Sequence, residues 1–127
     1  MKFASRALFA VACVMGAATV LLAAYTAHMG ESLSPAALRS VQSAMQMQQF
    51  HVLALLLVGA IALLHSPSKT LLLSGGLLLA GLLMFSVNIH LIHLAGVDSL
   101  RAATPYGGMA FVVGWLCWAW WAWRLKP

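Results

Sequence analysis

Charged side chains are scarce in this chain. Asp, Glu, Lys and Arg make up 7% of its 127 residues, whereas hydrophobic residues make up 63%. Soluble domains carry roughly 25% charged residues, so a fold whose whole surface faces water is excluded. The composition fits the hydrocarbon interior of a lipid bilayer, and we expect lipid to surround the protein.

Acidic residues are the rarest charged type, because the chain has only Glu31 and Asp98. Both lie in polar stretches between apolar ones, and neither is expected inside the membrane. Hydrolytic catalysis needs a nucleophile, a base and an acid, and proton-coupled export needs a membrane-buried carboxylate. We therefore predict that the protein is not an enzyme. A transporter with a proton relay built from histidines stays open as an alternative.

Cysteine is equally scarce, with Cys13 and Cys117 the only two in the sequence. Their spacing matches neither a thiol metal site nor a redox motif. Counted from the ends of their apolar stretches, both lie about 10 Å into the membrane at about 1.5 Å per residue. They would be neighbours if the first and last helices packed together. We interpret them as small apolar side chains in a non-oxidising layer.

Four long apolar stretches fill most of the chain, at residues 7–27, 45–64, 70–96 and 105–124. Each is long enough to cross a hydrocarbon core of about 30 Å as a helix. The second has an amphipathic lead-in from residue 35. The pattern predicts one all-α domain over residues 1–127, an integral membrane four-helix bundle with both termini on the same side. The first stretch is too long for the core of a cleaved signal peptide and is expected to be a transmembrane helix.

The positive charges indicate how the bundle is oriented. The side that both termini would share carries five of the seven cations: Lys2, Arg6, Lys69, Arg124 and Lys126. The positive-inside rule then predicts cytoplasmic termini in a bacterial inner membrane, with Trp120, Trp121 and Trp123 in an interfacial belt. Since the cations flank membrane helices, the net charge of +5 is not read as a nucleic-acid surface, and no nucleic acid is expected as a partner.

Two helix starts are marked in the sequence. Ser34 is a good N-cap, and Pro35 suits the first helical position, where its missing N–H costs nothing. The same pair of residue types recurs at Thr104 and Pro105, which predicts the same cap at the start of the fourth helix.

Small residues recur at spacings that let membrane helices approach closely. They are Ala12 and Gly16 in the first stretch, Gly75, Gly76, Ala80 and Gly81 in the third, and Gly107, Gly108 and Gly114 in the fourth. We interpret them as packing residues.

The best candidate for chemistry is a layer of polar residues toward the non-cytoplasmic face. Its members are His28, Gln48, His51, Ser86 and His90, with Asn88 and His93 nearby. Neutral imidazole is a good ligand for zinc or copper, and paired histidines can hold haem. A quinone headgroup needs only one histidine and a donor. The simpler alternative is that the layer binds no metal or other cofactor and hydrogen-bonds across the bundle.

Several strings of residues in this order resemble one known family. They are residues 23–28 (AAYTAH), 48–55 (QQFHVLAL), 85–86 (FS), 104–108 (TPYGG), Phe111 and 114–115 (GW). They are similar to the domain of unknown function 423 family, small bacterial inner-membrane proteins with a mitochondrial transmembrane relative in animals. The resemblance covers nearly the whole chain. It implies a four-helix membrane protein and no particular activity.

The family pattern carries over residue by residue onto His28, Gln48, His51, Thr104, Pro105, Gly107 and Gly108. This sequence departs from the pattern at residues 23–28, where the family has a glycine-containing string. It departs again at Val87, Asn88 and His90, where the family reads Gly-Ser-x-Tyr after Phe-Ser. The site that the resemblance implies is therefore smaller, with His28, Gln48, His51 and Ser86.

Two functions remain open at this point. The first is a non-enzymatic structural or accessory component that packs within a homo-oligomer or against a larger membrane complex. The second is a membrane-embedded binding protein or carrier that uses the polar layer for a metal, haem or quinone.

Overall fold

The computed structural model describes residues 1–65 and 68–125. Within them the chain forms four helices and no strand. These are α1 (Lys2–Met29), α2 (Pro35–Leu64), α3 (Lys69–Ala95) and α4 (Thr104–Trp123). Single 3₁₀ turns lie at Gly30–Ser32 and Arg101–Ala103. The predicted all-α fold class is confirmed. Lys126, one of the predicted flanking cations, lies outside the described residues.

Three of these helices are long and apolar enough to cross a membrane: α1 with the turn that follows it, α2 and α3. The fourth helix has 20 residues, which corresponds to about 30 Å. It contains all five tryptophans of the chain, whose rings combine an apolar body with a polar N–H group and suit a membrane interface.

The helices pack as two pairs joined through the middle. α1 lies along α2, α3 lies along α4, and α2 also contacts α3. Leu55, Val58, Leu71, Leu78 and Leu82 are fully buried between them. Large apolar side chains also cover the outside of every helix, including Val14, Leu57, Leu73 and Leu116. An apolar exterior around an apolar core is what a lipid solvent requires.

Two glycines allow backbones to come close. A Cβ on Gly59 would stand 2.9 Å from the backbone nitrogen of Phe9, and a Cβ on Gly107 would stand 2.6 Å from that of Phe85. The first contact joins α2 to α1, and the second joins α4 to α3. The packing interpretation is wrong for Gly76 and Gly108, because a Cβ at either position would meet no atom within 4 Å.

The two predicted helix starts differ in the structure. Ser34 is confirmed as a cap, since its Oγ accepts a hydrogen bond from the backbone N–H of Ala37 at 3.2 Å. Thr104 is not a cap, and that prediction is wrong. The preceding 3₁₀ turn runs straight into α4, so Thr104 already has helical dihedral angles of −53° and −49°. Pro105 still lies in the first turn of α4, where no N–H is required.

A π-helical segment interrupts α3 at Leu82–Val87. The wider turn changes which side chains face the neighbouring helices. Ser86 is buried in this segment, and Phe85 meets the ring of Phe111 at a centroid distance of 6.1 Å. The π segment therefore lies at the contact between α3 and α4.

The two cysteines are both unpaired. Cys13 is exposed on the outer surface of α1, and Cys117 is partly buried on α4.

Candidate functional site

Gln48 lies at the centre of the polar layer and is fully buried. Its Nε2 donates a hydrogen bond to Thr19 Oγ1 of α1 at 2.8 Å. Its Oε1 lies 3.1 Å from Nε2 of His90 on α3. Thr19, Gln48 and His90 thus form a hydrogen-bonded chain across three helices, which we call the polar chain.

The donors in the polar chain follow from its geometry. The Thr19 hydroxyl donates to the carbonyl oxygen of Met15 at 2.7 Å. Thr19 therefore has no hydrogen left for Gln48 and must accept from its amide group. The Gln48 oxygen then faces His90, so His90 Nε2 must donate to it. His90 Nε2 therefore carries a hydrogen, and its Nδ1 is buried with no hydrogen-bond partner among the described residues. A bare lone pair at that position costs less than the unpaired N–H of a buried imidazolium, which favours the neutral ring.

His51 makes a separate link, from α2 to α4. Its Nδ1 lies 2.8 Å from the carbonyl oxygen of Met47 and must donate to it. Its Nε2 then accepts a hydrogen bond from Trp115 Nε1 at 3.2 Å. The imidazole also stacks on Phe111, with the ring centroids 3.6 Å apart and the planes 18° from parallel. Both ring nitrogens of His51 are therefore already engaged.

The polar residues of α3 are held in different ways. Ser86 is fully buried, and its Oγ has no hydrogen-bond partner in the described part of the chain. Asn88 Nδ2 donates to the carbonyl oxygen of Leu100 at 2.6 Å and to Thr104 Oγ1 at 2.9 Å. Asn88 thereby ties α3 to the start of α4.

The structure brings together only part of the predicted site. Gln48 and His90 are in direct contact, and His51 is bound to a different partner. His28 is exposed at the end of α1, and no hydrogen bond of the described residues includes its side chain. His93 is only half-buried. In the described part of the chain, no three His, Cys, Asp or Glu side chains are grouped so that they could hold a metal ion.

Sequence reasoning missed two residues of the site. Thr19 was not distinguished from the apolar residues around it, although it is the only hydroxyl residue in the middle of the first stretch. Trp115 appeared only in a family string, although its indole N–H is the one polar group of α4 that reaches His51.

Two apolar grooves open beside these residues. The first, which we call the His90 groove, lies between α1 and α3 and has a volume of about 370 Å³. It is lined by Leu22, Tyr25, Val87, His90, Leu91, Leu94 and Ala95. The second lies between α2 and α4, has a volume of about 400 Å³ and includes Phe50, His51, Phe111 and Trp115.

The comparisons with known proteins agree with the fold. The family model described as "Protein of unknown function (DUF423)" matches residues 22–108. The UPF0382 membrane protein YwdK of Bacillus subtilis is 31% identical over 81% of this chain and 88% of its own length. A UPF0382 membrane protein of Haemophilus influenzae is 30% identical over 84% and 86%, respectively. The UPF0382 inner membrane protein YgdD of Escherichia coli is 29% identical over 87% and 85%. No solved structure matches the chain.

Proposed function

Since the chain belongs to the DUF423 family, whose relatives are named as membrane proteins, we propose that it is a non-enzymatic accessory component of the inner membrane. The polar chain is the observation that supports this role most strongly. Thr19, Gln48 and His90 bond to one another at the centre of the bundle, where they hold three helices in register. Polar groups bonded in this way stabilise the packing of membrane helices.

The proposed topology has four crossings with both termini in the cytoplasm. In support of it, α4 packs along the length of α3 and is long enough to reach both interfaces. The cations Lys2, Arg6, Lys69 and Arg124 would then flank the cytoplasmic face. The relative YgdD is named as an inner membrane protein, which supports the same location.

The proposed partner is another membrane protein or a second copy of this chain. Exposed apolar side chains such as Val20, Leu57, Val112 and Leu116 lie on three different helices. Membrane helices associate through van der Waals packing and interhelical hydrogen bonds, and these exposed side chains are available for such packing.

The accessory role predicts that a partner protein stays bound to the chain during purification. We expect the tagged full-length chain, cross-linked in native membranes and extracted in mild detergent, to co-purify with another membrane protein or with itself in fixed stoichiometry. A tagged inner-membrane protein of similar size and unrelated sequence is the control. A chain that elutes alone as a monomer, with cross-links no more frequent than those of the control, would contradict the proposal.

A second candidate function is supported by one specific observation at His90. Its Nδ1 lone pair is buried without a partner, and its ring forms part of the wall of the His90 groove. An apolar molecule with a hydroxyl donor, such as a quinol, would suit that combination once a small movement of the groove wall exposes Nδ1, which is buried in the structure. Metal and haem fit less well, because His51 Nε2 accepts from Trp115 and His90 Nε2 donates to Gln48.

This second function predicts a response at one nitrogen atom. In ¹⁵N-histidine NMR spectra we expect His90 to be protonated at Nε2 and His51 to be protonated at Nδ1. A short-chain hydroquinone should shift the Nδ1 signal of His90 and leave that of His93 unchanged, since a new hydrogen bond forms only at His90. His90→Gln provides the assignment control. An unchanged His90 signal at saturating hydroquinone would rule out this candidate.

A further inference from the structure

A pocket of about 650 Å³ lies at the opposite end of the bundle from the polar layer. The end of α2, the start of α3 and the end of α4 meet around it. It is lined by Ile61, His65, Ser68, Thr70, Trp121, Arg124 and Leu125. We call it the basic pocket, and none of its residues takes part in the site described above.

Neither of the two acidic side chains lies near the basic pocket. Glu31 lies in the turn after α1 and Asp98 lies in the connector before α4, both at the other end of the bundle. The salt bridge found in the described residues, between Arg101 and Asp98, is also at that far end. The guanidinium of Arg124 instead lies over the ring of Trp120, 4.8 Å from its centroid. This arrangement orients the guanidinium without neutralising its charge.

Hydrogen-bond donors surround the same pocket. Ser68 Oγ accepts from the backbone N–H of Leu71 at 3.1 Å, which leaves the hydroxyl hydrogen of Ser68 available to donate. Thr70 supplies a second hydroxyl, and the first turn of α3 supplies backbone N–H groups that have no partner within the helix. Hydroxyl, guanidinium and N–H donors together match the oxygens of a phosphate.

Apart from His65, the remaining lining is apolar. Its apolar members are Ile61 of α2, Trp121 of α4 and Leu125 just after α4. A free anion would gain nothing from these side chains, whereas the glycerol and upper acyl carbons of a lipid would pack on them. The pocket therefore combines a site for an anionic group with a site for the apolar body attached to it.

We propose that the basic pocket binds the headgroup phosphate of an anionic phospholipid, with Arg124, Ser68 and Thr70 as the groups that hold it. Basic pockets between membrane helices are suited to anionic headgroups, and the neighbouring Lys69 adds to the attraction. The occupant is a lipid and not free phosphate, because the apolar lining contacts the chains. This binding adds a specific lipid requirement to the proposed accessory role and does not depend on it.

The test uses the full-length chain in a zwitterionic detergent, titrated with phosphatidylglycerol or with phosphatidylcholine of the same acyl chains. Native mass spectrometry measures the affinity for the first retained lipid. We expect a clear preference for phosphatidylglycerol and a loss of about fivefold in that affinity in Arg124→Gln, the effect of removing one cation near an anionic lipid. Arg101→Gln, which removes the same charge at the other end, should keep the wild-type preference.

Two further measurements test the role of Thr70 and distinguish a bound lipid from a free phosphate. Thr70→Val, which keeps the charge, should also weaken phosphatidylglycerol binding, and it replaces Arg124→Gln if that variant does not fold. Glycerol phosphate at the same concentration should not compete. Equal binding of the two lipids, an unchanged preference in Arg124→Gln and Thr70→Val, or full competition by glycerol phosphate would each overturn the proposal.

Discussion

Gly107→Ala is expected to destabilise the bundle by about 3 kcal/mol, the upper end of the usual cost of overpacking. The added Cβ would stand 2.6 Å from the backbone nitrogen of Phe85 and 2.8 Å from the carbonyl carbon of Met84. Backbone atoms cannot rotate away as a side chain can, so α4 would have to move off the π segment of α3. The loss is measured as a change in the free energy of unfolding in an SDS titration.

The adjacent glycine provides a matched control for this substitution. A Cβ on Gly108 would meet no atom within 4 Å. Gly108→Ala removes the same backbone freedom from the same helix, and alanine favours a helix over glycine by up to about 1 kcal/mol. We expect Gly108→Ala to be as stable as the wild type or more stable. Equal stability of the two variants would show that α3 and α4 do not approach at Gly107.

Gln48→Met is expected to cost about 2 kcal/mol, since membrane hydrogen bonds contribute about 0.6–1.7 kcal/mol each and two are lost. The replacement keeps the length of the side chain but removes the donor to Thr19 and the acceptor for His90. His90 Nε2–H is then left buried without a partner. The measurement is again the free energy of unfolding in an SDS titration.

Gln49→Met is the control for Gln48→Met, because Gln49 is exposed on the same helix one position later. We expect Gln49→Met to change stability by less than about 0.5 kcal/mol, as surface substitutions usually do. A similar cost for both variants would mean that the loss at position 48 reflects general changes in α2. The polar chain would then have no special role.

The helices could be predicted from the sequence because bilayer thickness sets the length of an apolar stretch. The Ser34–Pro35 start could also be predicted, since the cap depends on residues that are neighbours in the chain. The Thr104–Pro105 start has the same residue types but not the same structure. There the bond from Asn88 and the preceding 3₁₀ turn draw Thr104 into the helix, and neither contact is visible in the local sequence.

The depth of each residue of the polar layer in the membrane could be predicted from the sequence, but its hydrogen-bond partner could not. Counting residues along each helix gives the level of Gln48 and His90, yet the pairing depends on how each helix is rotated about its axis. That rotation is set by contacts such as Gly59 against Phe9 and by the π segment in α3. The residues of the π segment (LLMFSV) have ordinary α-helical preferences. The wider turn therefore arises from packing and not from propensity.

His28 and His51 lie apart from the polar chain. His28 follows the last apolar turn of α1 and is exposed there. His51 is three residues from Gln48, yet it points to α4 because Trp115 and Phe111 provide a hydrogen bond and a stacking surface. Spacing along one helix shows which residues share a face, but a neighbouring helix decides which partner each one meets.

A direct hydrogen bond between Gln48 and His90 holds α2 and α3 together. A double-mutant cycle with Gln48→Met and His90→Leu, read out by the free energy of unfolding, tests that bond most directly. We expect the double variant to be more stable than the sum of the single losses implies, with a coupling of about 1 kcal/mol. Strictly additive losses would contradict it, because two side chains that do not interact cannot compensate for each other's removal.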